Sequence, residues 1–143
     1  MTDDRHDDIA EAARALIEEL GLAPHPEGGY FRETIRSGVS VDAHGGTRSA
    51  VTSILFLLPT GHRSRSHRVR SDEIWLHHAG DDVGLTVEGS ADVRVGAGPD
   101  ATLQALVPAG AWQAAEALPG PHGYALVGCV VAPGFDFEDF ELA

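Results

Sequence analysis

Residues 9–20 (IAEAARALIEEL) carry apolar side chains at helical spacing. Ile9, Ala13, Leu16 and Leu20 fall on one face, which predicts an amphipathic helix. Asp8 followed three residues later by Glu11 has the form of a capping box, and Gly21 is a stop signal. From Tyr30 onward the apolar period shortens to two. Strands are expected near residues 30–37, 48–58, 64–70, 73–78, 83–88, 91–95, 102–107, 111–115 and 124–131, broken by Gly, Pro and Asp clusters such as His44-Gly45-Gly46 and Pro59-Thr60-Gly61. One helix followed by about nine short strands predicts an all-β sandwich, jelly roll or barrel.

The strand Glu73-Ile74-Trp75-Leu76-His77-His78 stands apart. Alternation puts Glu73, Trp75 and His77 on one face and Ile74, Leu76 and His78 on the other, so large apolar groups lie on both. A strand with one wet face lacks this pattern, and a second subunit is expected to cover the outer side.

Composition narrows the functional classes. At 143 residues the chain is the size of one domain, 1–143, with disorder expected over residues 1–8. The sequence contains no lysine, which excludes Schiff-base chemistry and a Walker-type phosphate site. A net charge of −12 argues against nucleic acid or an anionic membrane as partner. Cys129 is the single cysteine, so no intrachain disulfide can form, and its LVGCVV context reads as a small core residue rather than a nucleophile. The acidic start lacks the apolar stretch of a signal peptide, and no run reaches membrane-spanning length; the expected location is cytoplasmic.

The stretch from Gly61 to Gly80, GHRSRSHRVRSDEIWLHHAG, fits the spacing G-x5-H-x5-E-x6-G and resembles the first cupin motif. His67 and Glu73 take two ligand positions, while Val69 stands where metal-binding cupins have a second His. Pro108-Ala109-Gly110-Ala111-Trp112-Gln113 resembles the second motif, with Gln113 in place of its final His. Three further stretches, PHPEGGYFRETIRS (24–37), SHRVRSDEIWLHHAG (66–80) and YALVGCVVAPGFDFEDFEL (124–142), resemble the cupin subfamily DUF985, or cupin-5, with Ile35 where a Tyr is expected. That resemblance implies a double-stranded β-helix, a cupin jelly-roll barrel preceded by one α-helix, usually homodimeric, with a pocket in the barrel mouth. It brings no established reaction.

His67, Glu73 and Tyr30 are the candidate catalytic groups: His67 to abstract a proton beside a carbonyl, Glu73 to orient it, Tyr30 to return one. Strand parity places Arg65 in phase with His67, where its planar guanidinium can clamp an anionic group. Arg32, sharing a face with Tyr30, and Trp75, Gln113 and His77 complete the expected ligand-binding wall. Glu27 reads as half of a structural ion pair. With two of four cupin ligands replaced, no cofactor is expected; a weak divalent site would draw on His67, Glu73 and Gln113. Three functions follow: a metal-independent isomerase or epimerase acting on a small oxygenated, anionic or sugar-like molecule; a dimeric small-ligand-binding module without catalysis; or a metal-dependent oxygenase or lyase. The tail, with Phe135, Phe137 and Phe140 alternating with acids, is expected to pack on the barrel or a partner.

Overall fold

The computed structural model describes residues 9–143. The helix α1 spans Glu11–Glu19 and buries Ala13 completely. Its end follows from Gly21, whose φ of 66° reverses the chain so that the Gly21 and Leu22 amides reach back to the Glu18 and Ile17 carbonyls. Ala10 sits at the N-cap without a side-chain hydrogen bond. The expected Asp8 cap and the expected disorder of residues 1–8 lie outside the described residues.

Among the described residues thirteen strands follow the helix in chain order. They are β1 (Ala23–Pro24), β2 (Tyr30–Arg36), β3 (Ser40–Ala43), β4 (Gly46–Ser49), β5 (Thr52–Pro59), β6 (Arg63–Val69) and β7 (Asp72–Gly80). The remainder are β8 (Val83–Val87), β9 (Val93–Val95), β10 (Gln104–Val107), β11 (Gln113–Ala117), β12 (Tyr124–Ala132) and β13 (Phe140–Leu142). A six-stranded sheet in the order β1-β2-β5-β12-β7-β10 faces a five-stranded sheet in the order β13-β6-β11-β8-β9, and β3-β4 form a separate hairpin. All strand pairs are antiparallel, and the crossovers give the expected double-stranded β-helix.

The space between the sheets is filled at one end by Phe56, Leu58, Trp75, Leu85, Val107 and Val127. Outside the larger sheet, α1 packs on Tyr30, Leu57 and Leu126, which explains why β12 is apolar on both sides. Farther along that outer face Ile74 (39% exposed) and its cross-strand neighbour Leu106 (56% exposed) remain open to solvent among the described residues. Among the described residues no helix is long and apolar enough to cross a membrane.

Several elements depart from the sequence reading. The strand expected at 48–58 is two strands, broken at residues 50–51. The first of these, β4, pairs with β3 through His44-Gly45, whose φ values of 54° and 79° make the positive-φ turn that suits a two-residue hairpin. The tail supplies an unforeseen last strand: β13 pairs with β6, and a single 3-10 turn at Phe137–Asp139 precedes it.

Candidate functional site

The barrel is open at the end away from the filled core, and a turn delivers the first functional groups there. In His25-Pro26-Glu27-Gly28-Gly29 the His25 amide donates to the Gly29 carbonyl and the Gly28 amide to the His25 carbonyl. Gly28, at φ 108°, lies so close to the Arg63 carbonyl that a Cβ there would collide with it. This close approach lets the Arg65 amide donate to the Glu27 carbonyl at 2.7 Å, docking the turn onto β6. Both His25 and Glu27 are thereby buried.

His67 comes from β6. Its partner strand pairs Gln113 with His67 but Ala115 with Ser64, so β6 carries one extra residue, a β-bulge. The bulge resets the alternation: Ser64, His67 and Val69 point inward, whereas Arg63 and Arg65 stay exposed. The Arg65 carbonyl accepts a hydrogen bond from Nδ1 of His67 at 2.7 Å, which leaves Nε2 as the free lone pair of the neutral ring. That Nε2 faces Oε2 of Glu27 at 3.5 Å. The Ser64 hydroxyl donates to the same carboxyl.

Glu73, from β7, forms the opposite wall. Nε2 of Gln113 donates to its Oε1 at 2.9 Å, and Oε1 of Gln113 accepts from the Trp75 indole at 3.0 Å. The Cys129 thiol also donates to Glu73. Burial pushes that thiol well above its ordinary range, with the charges of Glu73 and Glu27 adding to the effect, so Cys129 stays protonated and is no nucleophile.

These groups line a cavity of about 320 Å³. Its remaining wall is largely apolar, built by Phe31, Ile54, Val69 and Val131, with Phe135, Phe137 and Phe140 from the tail. Phe140 lies over His67, ring centres 5.6 Å apart, and 5.9 Å from His25. The tail is pinned by Asp139, whose carboxylate takes two hydrogen bonds from Arg48 of the β4 hairpin, at 2.8 and 2.9 Å. At the mouth Arg36 is bound by Glu33 through two hydrogen bonds and donates a third to the Phe135 carbonyl.

The electrostatics follow from burial. Glu27 is pushed up to about 8, chiefly by desolvation and then by the charge of Glu73, against the opposing Ser64 hydrogen bond. Desolvation raises Glu73 to about 7, although the Gln113 and Cys129 hydrogen bonds favour its ionised form. His25 falls to about 4 through burial and the neighbouring His67, and burial also lowers His67. The short His25–Glu27 and His67–Glu27 contacts are therefore between neutral groups at pH 7, not ion pairs. The backbone agrees: Nδ1 of His25 accepts the Glu27 amide at 3.1 Å, so it carries a lone pair rather than a proton.

Of the expected site residues, His67 and Glu73 line the cavity, with Gln113 and Trp75 joined behind Glu73 and not among the lining residues. The direct partner of His67 is Glu27, not Glu73. Tyr30 faces the opposite side of β2, beneath α1, while Phe31 and Glu33 take the cavity face. Arg32 is exposed and donates to the Leu20 carbonyl at the end of α1. The bulge sends the Arg65 side chain outward, so the expected guanidinium clamp does not reach the cavity; the backbone of Arg65 serves the site instead. His77 lies toward the far end of β7, its Nε2 3.2 Å from the Gly80 carbonyl, away from the cavity. Glu27 and His25 were the residues that strand parity missed, because a turn has no parity.

The set that a weak divalent site would draw on, His67, Glu73 and Gln113, does not fit a metal ion. Both polar atoms of Gln113 are used on Trp75 and Glu73, and Val69 offers the cavity only methyl groups. Among the described residues no group of three or more His, Cys, Asp or Glu side chains is placed to hold a metal ion.

A double-stranded β-helix with a small-molecule-sized cavity at one mouth defines a cupin. The family described as cupin superfamily (DUF985) matches residues 14–143, and the chain belongs to it. An uncharacterized protein of Saccharomyces cerevisiae, YML079W, is 33% identical over 144 residues, covering 87% of this chain and 71% of its own. A hypothetical protein from Leishmania major superposes with a TM-score of 0.85 at 39% identity, covering 92% of this chain and 86% of that one. Protein SO0799 from Shewanella oneidensis gives 0.83 at 36% identity, covering 94% and 85%.

Proposed function

We propose that this cupin is a metal-independent acid–base enzyme of isomerase or epimerase type, acting on a small oxygenated molecule in the aromatic-capped cavity. The observation that carries the reading is that two buried carboxyl groups, Glu27 and Glu73, line one cavity, where burial pushes them up to about 8 and about 7. The charge of Glu73 disfavours ionisation of Glu27, so around pH 7.5 the pair holds about one proton: one carboxylate to accept, one carboxylic acid to give. Glu73, the more acidic, is the base. It takes a proton from carbon beside a carbonyl; the C–H electron pair becomes the new C=C bond and the carbonyl π pair moves to oxygen. Glu27 returns a proton to carbon as the π pair flows back. Proton exchange with water then resets the two carboxyls.

His67 takes a different part from the one its sequence position suggests. Its Nδ1 is committed to the Arg65 carbonyl, and its Nε2 lone pair faces Glu27, where it positions the acid. The substrate also changes. Arg36 is the one arginine among the lining residues, and Glu33 occupies it, while Glu27, Glu73 and Asp136 disfavour a second negative charge. An uncharged, largely apolar molecule suits the cavity better than an anion.

The test is hydrogen exchange at carbon. Small ketones are incubated with the protein in D₂O and followed by NMR. Enzyme-dependent exchange beside the carbonyl should peak between about pH 7 and 8 and fall at least about 100-fold in Glu27→Gln or Glu73→Gln. Binding without exchange across the panel contradicts catalysis and leaves the small-ligand-binding module.

A further inference from the structure

Resting on the acid–base reading, we infer that His25 is the hydrogen-bond donor that holds the substrate carbonyl, and that the ligand class is a small uncharged ketone or aldehyde on an apolar body. The first ground is the tautomer. The Glu27 amide donates to Nδ1 of His25, so the single proton of the neutral ring sits on Nε2. A Glu27 carboxyl oxygen lies 3.3 Å from the same Nδ1, and among the described residues no hydrogen bond reaches Nε2; the ring's other surroundings are aromatic: Phe31 at 4.5 Å, Phe140 at 5.9 Å and Phe137 at 6.2 Å between ring centres. All three phenyl rings line the cavity with His25. A fixed N–H in an otherwise apolar part of a cavity is matched by one acceptor on an apolar molecule.

The second ground is chemical. Enolisation puts negative charge on the carbonyl oxygen, and a donor already in place stabilises it without reorganisation. A neutral imidazole, kept from protonating by burial, can serve as such an electrophile. With no lysine in the chain, Arg36 bound by Glu33 and the Thr52 hydroxyl tied to the Phe135 amide, His25 is the donor whose ring touches the Glu27 carboxyl. A carboxylate ligand would instead meet Glu27 and Glu73.

The experiment uses the full chain with cyclohexanone and cyclohexanecarboxylate as probes. The C=O stretch of carbonyl-¹³C cyclohexanone is read by infrared difference spectroscopy, and ring tautomers by long-range ¹H–¹⁵N NMR. We expect cyclohexanone to bind at least about tenfold more tightly than the carboxylate at pH 7.5. Its stretch should fall below the value in an apolar solvent, and His25→Phe should abolish that shift. Because His25→Phe also removes the acceptor of the Glu27 amide in the turn, the wild-type spectrum gives a second reading: one buried imidazole protonated on Nε2 whose resonance moves on adding cyclohexanone. An unshifted stretch in the wild type, a static Nε2 resonance, equal or tighter binding of the carboxylate, or no ketone binding overturns the inference. Glu27-dependent exchange with an unshifted stretch removes the role of His25 alone. A shifted stretch without Glu27-dependent exchange removes the acid–base reading alone.

Discussion

Oε2 of Glu27 lies 3.5 Å from Nε2 of His67, and both groups are uncharged at neutral pH. The contact joins a five-residue turn to a bulged strand. Neither residue can take this place unless Gly28 presses against the backbone at Arg63 and Arg65 turns its side chain outward. The site is thus built largely by backbone geometry.

Burial of these groups makes stability depend on pH in opposite senses. The carboxyls of Glu27 and Glu73 rise on folding, so the folded state binds more protons between about 4.5 and 8 and loses stability as pH rises through that window. His25 falls on folding, so its contribution is lost as pH drops from 6.5 toward about 4. Glu27→Gln should therefore stabilise the protein increasingly from pH 5 to pH 9, by an amount of the order of a few kcal/mol at the upper end. Thermal melts of both proteins across this range test it, and a constant difference would refute it.

The tail closes the cavity through the Arg48–Asp139 pair. Asp139→Asn should lower Tm by roughly 5 °C and increase amide exchange over residues 135–142, since Phe140 loses its anchor. Unchanged exchange in that segment would mean the phenyl rings hold the tail unaided.

Restoring the missing imidazoles should create a metal centre. Val69→His with Gln113→His completes a three-His, one-Glu set with His67 and Glu73, and calorimetry should then show zinc binding at least about 100-fold tighter than in the native chain. Equally tight binding by the native chain would reverse the metal-independent reading.

The partly bare Ile74–Leu106 face, at the β10 edge of the larger sheet, is where the expected second subunit would sit. Light scattering should give twice the 15.1 kDa chain mass at micromolar concentration and the chain mass for Leu106→Glu. A native monomer would contradict this.

Periodicity revealed the helix and most of the barrel strands, because apolar alternation at Trp75 or Val127 records which side is buried. It failed for strands too short to show a period, such as β3 and β13, and wherever a bulge resets the phase. Arg65 is the clearest case: alternation aligned it with His67, and one extra residue in β6 turned it outward. Tyr30 and Phe31 exchanged faces because α1 covers the outside of β2 and makes a buried tyrosine equally suitable there. Glu27 was visible only as part of a glycine-rich turn, since nothing local in His-Pro-Glu-Gly-Gly says which way its carboxyl points.

The carboxyl titrations are the most direct test of the central claim. Side-chain ¹³C NMR of glutamate-labelled protein, followed from pH 3 to pH 10, should show two glutamates titrating near 7 and near 8. The higher one should disappear in Glu27→Gln, leaving the one near 7, and in Glu73→Gln the remaining Glu27 should titrate lower, because the Glu73 charge that raises it is gone. If every glutamate instead titrates in the ordinary carboxylate range near 4, the cavity holds no proton to exchange at neutral pH and the acid–base account is wrong.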